Sequence, residues 1–165
     1  MKYIDWVINC EELKSYSLEE FNRDDGSVYG FMDLRLGGFT IGSLEGAAKE
    51  SEGDEDISFY VDQLIKCGIA LLRGDEFKVG LLNSNLLEIR VHMDKSAVVE
   101  VWNIQNDKKE FTYELSLEDV ISEIKSAYLK YINDVKAINE NILQSKLIKH
   151  TVALYQVFMG GVSDV

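Results

Sequence analysis

Apolar and polar residues alternate most regularly in the middle of the chain. Every second residue is apolar over residues 87–94, and this period of two predicts a β-strand with one buried face. Residues 97–104 are rich in β-branched side chains, while residues 77–81 and 111–115 alternate again between turn-forming stretches. The pattern predicts a four-stranded antiparallel meander over residues 76–115.

The first quarter of the chain carries weaker strand patterns. Residues 3–8 form a short apolar and aromatic run, and residues 28–36 alternate. Gly37 and Gly38 supply the backbone freedom that a hairpin needs before residues 39–41. These segments predict N-terminal strands that join the meander in one antiparallel sheet.

Residues 57–73 change to the helical period of three to four residues. Their apolar side chains form one broad face, and the polar residues Ser58 and Asp62 are expected on the opposite side. Three carboxylates at residues 54–56 precede this segment, where they favour a helix N-terminus through capping and the macrodipole. The pattern predicts an amphipathic helix that covers the sheet.

A second helical region is predicted over residues 117–159, with Ser116 as its N-cap. An unbroken helix of this length would extend about 65 Å at 1.5 Å per residue, which is too long for a compact domain of this size. A break is therefore expected near residues 139–145. Gly160 and Gly161 are expected to end the helical region.

These elements together predict a single α+β domain spanning residues 1–165. The chain is 46% apolar and 28% charged, a composition typical of one compact domain with a hydrophobic core. The uncharged stretch at residues 150–163 is shorter than the roughly 20 residues of a membrane-spanning helix, so no membrane span is expected. Asp5 interrupts the N-terminal apolar run that a secretory signal would need, which favours a cytoplasmic protein.

Negative charge is the most unusual property of the composition. The chain has 29 acidic and 17 basic residues, a formal net charge of -12. The excess is concentrated before residue 67 and is densest at residues 45–56, where six acids accompany one lysine. Clustered carboxylates can steer a basic protein partner, although a solvated loop with helix-capping acids gives the same pattern. Binding of nucleic acid is not expected, because this charge repels phosphate.

One aromatic residue adds a candidate anchor to this acidic surface. Trp102 is predicted on the polar face of its strand, in register with Glu100, either as an interface anchor accompanied by Tyr29 and Phe31 or beneath a covering helix. The candidate partner-binding residues are Asp24, Asp25, Glu45, Glu50, Glu52, Asp54, Glu55, Asp56 and Trp102.

No catalytic motif, cofactor-binding motif or metal-ligand spacing is present in the sequence. The two cysteines, Cys10 and Cys67, are expected as free thiols, with a disulfide as the alternative and their proximity left open. A small enzyme with a carboxylate-based site remains an alternative function, and its candidate acids are Asp33, Glu88 and Glu100. A structural or oligomer-forming subunit is another, because the C-terminal third is very apolar.

The overall plan resembles the immunity proteins of bacterial polymorphic toxin and contact-dependent inhibition systems. The resemblance is carried by residues 28–44, 54–73 and 87–104, about half the chain, and it concerns plan and composition. It implies an inhibitor that binds one cognate toxin tightly and blocks the active site or the substrate path of that toxin. The charge asymmetry adds the expectation that the acidic half of the chain meets a basic surface of the toxin. No functional residue is transferred from this resemblance.

Overall fold

The computed structural model describes residues 3–24, 26–37, 39–42, 55–81 and 84–163. The strands are β1 (Ile4–Ile8), β2 (Tyr29–Leu36), β3 (Phe39–Gly42), β4 (Glu55–Asp56), β5 (Phe77–Leu81), β6 (Ser84–Met93), β7 (Ala97–Asn103) and β8 (Lys108–Leu115). The helices are α1 (Cys10–Ser15), α2 (Leu18–Arg23), α3 (Ile57–Arg73), α4 (Leu117–Ile138) and α5 (Lys146–Ser163). The predicted α+β fold is confirmed.

The predicted meander forms the second sheet, in the order β5-β6-β7-β8 with every pair antiparallel. An irregularity interrupts the pairing of β7 with β8 after Val101. Val101 lies opposite Phe111, but Trp102 lies opposite Lys109, so that Glu110 is the extra residue of a β-bulge. The bulge places a lysine rather than a glutamate beside Trp102.

The N-terminal strands are confirmed, but they pair in a sheet of their own. In this first sheet β2 is central, with β1 on one edge and both β3 and β4 on the other. Gly37 turns the chain from β2 to β3 with a φ of 60°, and the Tyr113 ring of β8 lies against it. Tyr3 also contacts Tyr113, with ring centroids 6.2 Å apart, so the two sheets meet at this point.

Helix α3 lies between the two sheets and the C-terminal helices, and it contacts β2, β5, β6, α4 and α5. The Asp56 side chain caps its N-terminus by accepting a hydrogen bond from the Phe59 backbone, and Gly74 closes it in the left-handed conformation. The bounds match the predicted helix. The amphipathic assignment was too simple, because Ser58 and Asp62 are also buried. Asp62 is buried because α5 packs on the side of α3 that was expected to face solvent, and its carboxylate accepts the Thr151 hydroxyl. Ser58 is buried where its hydroxyl accepts the Val28 backbone N–H.

The expected break in the C-terminal helical region is confirmed. Helix α4 ends before Asn139, a 3-10 helix spans Glu140–Gln144, and the Ser145 hydroxyl caps α5. The Asn139 side-chain amide donates to the carbonyls of Leu13 and Tyr16, which fixes the break against α1.

The predicted end of this region was wrong. Helix α5 continues through Gly160 and Gly161 to Ser163, because Val162 still packs against the core.

Two short helices between β1 and β2 were not predicted. Their capping signals are nevertheless present in the sequence. Asn9 caps α1, while Ser17 and Glu20 form a capping box at the start of α2. Each helix buries one side chain, Leu13 in α1 and Phe21 in α2, so the apolar periodicity was too short to detect.

Two helical glycines provide a matched test of this packing. A Cβ at Gly68 would meet Ile124 and lie 2.8 Å from a ring carbon of Phe158, whereas a Cβ at Gly160 would meet nothing within 4 Å. Gly68→Ala should lower the free energy of unfolding by about 1–3 kcal/mol through overpacking. Gly160→Ala should raise it by about 0.5–1 kcal/mol through helix propensity. Urea unfolding measures both, and a neutral Gly68→Ala would contradict the close approach of α3, α4 and α5.

Candidate protein-binding surface

The outer face of the first sheet exposes apolar and aromatic side chains. In β1 the residues Ile4, Trp6 and Ile8 point into the core, so Val7 points outward. Val7 lies directly opposite Phe31 of β2, and Tyr29 precedes Phe31 by two positions on the same face. Val7 is 56% exposed and Tyr29 is 38% exposed. Val7, Tyr29 and Phe31 form what we name the first-sheet patch.

Carboxylates border the first-sheet patch within the sheet. Asp5 lies opposite Asp33 on the same outer face, and Asp56 lies opposite Tyr29. The Asp33 carboxylate is buried and accepts a hydrogen bond of 3.0 Å from the Arg35 guanidinium. The patch is thus an apolar strip with acids on both sides.

The acidic border continues into α1 and α2. The Asn9 backbone N–H donates to the Tyr29 carbonyl, so α1 starts directly beside the patch. Tyr16 lies between these helices, and its pKa is raised mainly by burial and further by the negative charges of Glu12 and Asp24. The exposed acids of the two helices are Glu11, Glu19, Glu20 and Asp24.

The acids predicted from sequence to bind a partner fall into three groups. Asp24 is exposed at the end of α2 and forms a 2.9 Å ion pair with Arg23. Glu55 is buried and Asp56 caps α3, so both side chains are engaged within the fold. The predictions for Asp25, Glu45, Glu50, Glu52 and Asp54 lie outside the described residues. In the described part of the first sheet, β3 ends at Gly42 and β4 begins at Glu55.

Trp102 lies on the solvent side of the second sheet, as predicted, but charged side chains of its own sheet cover it. The Arg90 guanidinium carbon lies 4.3 Å from the ring centroid, and the Lys109 Nζ lies 5.9 Å from it on the bulged strand. The indole N–H donates to Glu100 at 2.8 Å. We name Arg90, Glu100, Trp102 and Lys109 the Trp102 cluster. Its charges are paired within the sheet.

The three carboxylates of the enzyme hypothesis are divided between the sheets. Asp33 lies on the first sheet, whereas Glu88 and Glu100 lie on the second. Glu88 accepts a 2.6 Å hydrogen bond from Arg90. The ammonium of Lys109 bonds to Glu100 at 2.8 Å and, with the Trp102 indole, lowers the pKa of this carboxyl. That direction suits a permanently ionised carboxylate rather than a general acid. Within the described residues, no group of three or more potential metal ligands occurs.

Asp62 of α3 is a second buried carboxylate with a described partner. Its Oδ1 accepts a 2.6 Å hydrogen bond from the Thr151 hydroxyl of α5, and its Oδ2 lies 3.5 Å from the Nε2 of the exposed His150. Burial raises the pKa of Asp62, while Thr151 and His150 act in the opposite direction. The cluster ties α3 to α5, and nothing in the helical pattern distinguished it from a solvated aspartate.

The two cysteines are free, as expected. Cys10 is exposed at the start of α1 and Cys67 is buried in α3. In the part of the chain that is described, no helix is long and apolar enough to cross a membrane.

Asp62→Asn should raise the free energy of unfolding at pH 7, because burial disfavours the charge while the amide oxygen still accepts the Thr151 hydroxyl. The folded-state pKa lies above the ordinary value of 3.8, so the folded protein binds the extra proton in the interval between these two values. Stability due to Asp62 therefore falls as pH rises through that interval. The advantage of asparagine should be greatest at neutral pH and vanish toward pH 4.

Urea unfolding of both proteins across this pH range measures the difference, and Asp94→Asn at an exposed turn is the control. Destabilisation by Asp62→Asn at every pH would show that attraction to His150 and Lys66 outweighs burial.

No protein-family model matches the chain, and neither does a curated protein or a solved structure.

Proposed function

We propose that this protein is a cytoplasmic immunity-type inhibitor that binds a cognate toxin carrying a basic surface. The observation that carries the proposal is the first-sheet patch, in which exposed apolar and aromatic side chains lie among carboxylates. The net charge of -12 and its concentration before residue 67 support a basic partner.

The first-sheet patch has the composition of an interface centre. Aromatic residues are enriched among the side chains that contribute most to binding, and a surrounding ring of weaker contacts excludes water from them. Tyr29 offers a ring and a hydroxyl on a rigid strand, and Val7 with Phe31 extends the apolar strip beside it. Because β2 is hydrogen-bonded on both edges, the strip loses little conformational freedom on binding.

This geometry moves the proposed anchor away from Trp102. Arg90 and Lys109 already occupy the space beside the indole, and a partner would have to displace or accommodate them. Tyr29 and Phe31, proposed from sequence as companions of Trp102, lie on the other sheet and are the stronger anchors. The charged side chains of the Trp102 cluster then keep the outer face of the second sheet soluble and help to fix its strand register.

The acids around the patch supply the second part of the mechanism. Carboxylates on α1 and α2, together with those at residues 45–54, draw a cationic toxin toward the first sheet. A basic toxin surface is typical of an enzyme that acts on nucleic acid, so bound carboxylates would occupy positions otherwise filled by phosphates. Inhibition would follow from coverage of the substrate path.

The immunity function is tested with the protein that the neighbouring gene encodes. A toxin domain encoded there should form a complex with the purified protein, and co-expression of the protein should restore growth of cells that produce the toxin. Absence of both complex and protection would reject the immunity function. Hydrolytic activity of the protein alone, abolished by Glu100→Gln, would favour the enzyme alternative instead.

A self-associating subunit is the other alternative with a specific observation behind it. Leu129 of α4 and Val157 of α5 are each more than half exposed on the C-terminal helices. Light scattering at micromolar concentration distinguishes the two, since the immunity proposal needs no second copy of the chain.

Tyr29→Ala should weaken toxin binding by about 30-fold or more, mainly through faster dissociation, because it removes an anchor worth about 2 kcal/mol. The matched control is Trp102→Ala, an aromatic truncation on the other sheet, which should change the affinity by less than about threefold. Surface plasmon resonance with the purified toxin domain gives both rates. The reverse ranking would place the interface on the Trp102 cluster.

Neutralising Glu45, Glu50, Glu52 and Asp54 to their amides should slow association by about tenfold at low salt and leave dissociation nearly unchanged. The dependence of the association rate on ionic strength should weaken as well. Neutralising Glu76, Glu110, Glu118 and Glu140 removes the same charge from the rest of the chain and is the control. Equal slowing by both sets would mean that total charge matters and its location does not.

A further inference from the structure

A partly open cavity of about 120 Å³ lies where both sheets meet α3 and α4. Each of these elements contributes to its wall. The principal lining side chains are Ile4 and Met32 of the first sheet, Val91 and Val99 of the second, Cys67 of α3 and Val120 of α4. The cavity is thus a feature of the junction between layers rather than of one element.

The wall of the cavity is chemically neutral. Most of the lining side chains are aliphatic, and burial raises the pKa of the Cys67 thiol to about 12, so the thiol stays protonated. The one lining carboxylate, Glu123, directs its Oε1 to the backbone N–H groups of Tyr3 and Ile4, at 2.9 Å from each nitrogen. Tyr3, Tyr60 and Gln63 also line the cavity, but the surface exposed to it is apolar, so it offers none of the two to four polar partners that a water molecule needs.

The surrounding backbone prevents the cavity from collapsing. Val91 and Val99 lie opposite each other on adjacent strands of the second sheet, and Met32 lies on the central strand of the first. Moving either strand inward would break ladder hydrogen bonds. The space can therefore be filled by a ligand or a larger side chain, but not by relaxation of the strands.

We propose that this cavity binds an uncharged apolar molecule about the size of one aromatic ring. An apolar protein cavity of roughly 150 Å³ accommodates benzene, and this one is slightly smaller. A charged molecule is excluded, because it would lose its hydration without gaining a partner of opposite charge. The site is independent of the first-sheet patch, since its lining residues point to the opposite side of β1 and β2.

Access is expected between α3 and the edge strand β5. Leu64 of α3 and Phe77 and Val79 of β5 line the cavity and are only partly buried. Edge strands and helix faces open locally more easily than central strands. A ligand that binds only the folded state should also raise the melting temperature, and the rise should become logarithmic in ligand concentration above Kd.

Titration with benzene, followed by methyl NMR and thermal unfolding, tests the proposal. The methyl signals of Val91 and Val99 should shift saturably, with a Kd on the order of 0.1–1 mM for a ligand of six carbon atoms. Benzoate, which adds only a charged carboxylate, should cause no such shift. Absence of saturation up to the solubility limit of benzene, or equal binding of benzoate, would overturn the proposal.

Two cysteines offer a matched pair of variants. Cys67→Met places two additional heavy atoms in the cavity and should reduce benzene affinity at least tenfold, whereas Cys10→Met makes the same change on the surface and should leave it unchanged. Benzene binding that survives in Cys67→Met would place the ligand elsewhere and overturn the proposal. Should Cys67→Met fail to fold, the double variant Val91→Ile, Val99→Ile fills the cavity from the second sheet and must show the same loss.

Discussion

The burial of α3 on nearly its whole circumference is the constraint on which the other layers depend. Two sheets and two helices contact this helix, so its few polar groups need partners inside the protein. The Ser58 hydroxyl accepts the Val28 backbone N–H, and Asp62 accepts the Thr151 hydroxyl. Gly68 leaves out a side chain that would meet Ile124 of α4 and Phe158 of α5. The amphipathic interpretation of residues 57–73 was correct for the side of α3 that packs on the sheets. It was wrong for the other side, because α5 covers that side.

The first sheet depends on α4 in a comparable way. β1 is an edge strand, and exposed edges can pair with other chains. Glu123 accepts two backbone N–H groups at the start of β1, and Lys130 donates to the Trp6 carbonyl at 3.1 Å. Asp134 accepts the Trp6 indole N–H, also at 3.1 Å. One polar stripe of α4 thereby satisfies the edge that the sheet leaves open, and it ties the N-terminus of the chain to its C-terminal third.

Periodicity was sufficient for the elements that bury one regular face. The four strands of the meander follow from it, since each has enough residues for the pattern to repeat. The bounds of α3 also follow from periodicity, but the burial of its second side does not. The break near Asn139 follows from the length that an unbroken helix would have. The separation of the strands into two sheets was not predictable, because the alternation of apolar and polar residues does not indicate which strands pair with each other.

The candidate site shows the same limit. Trp102 was correctly placed on a solvent-side face, but Arg90 and Lys109 reach its ring only through cross-strand pairing and a bulge. Glu55 looked like its acidic neighbours, and only the pairing of β4 with β2 buries it.

The outer faces of the two sheets differ in how their charged side chains are paired. In the second sheet, Glu88, Arg90, Glu100 and Lys109 alternate in sign between neighbouring positions, and their mutual ion pairs cover the one large aromatic ring. The first sheet has one cation on the described outer face of β2, Arg35, and it is engaged with Asp33 at one end. Among the described residues, Asp56 lies opposite Tyr29, and the first turn of α1 beside it carries Glu11 and Glu12. A positively charged partner would be attracted to the carboxylates around the apolar strip of the first sheet. The charges of the second sheet already pair with one another, so this difference favours the first sheet as the binding side of the molecule.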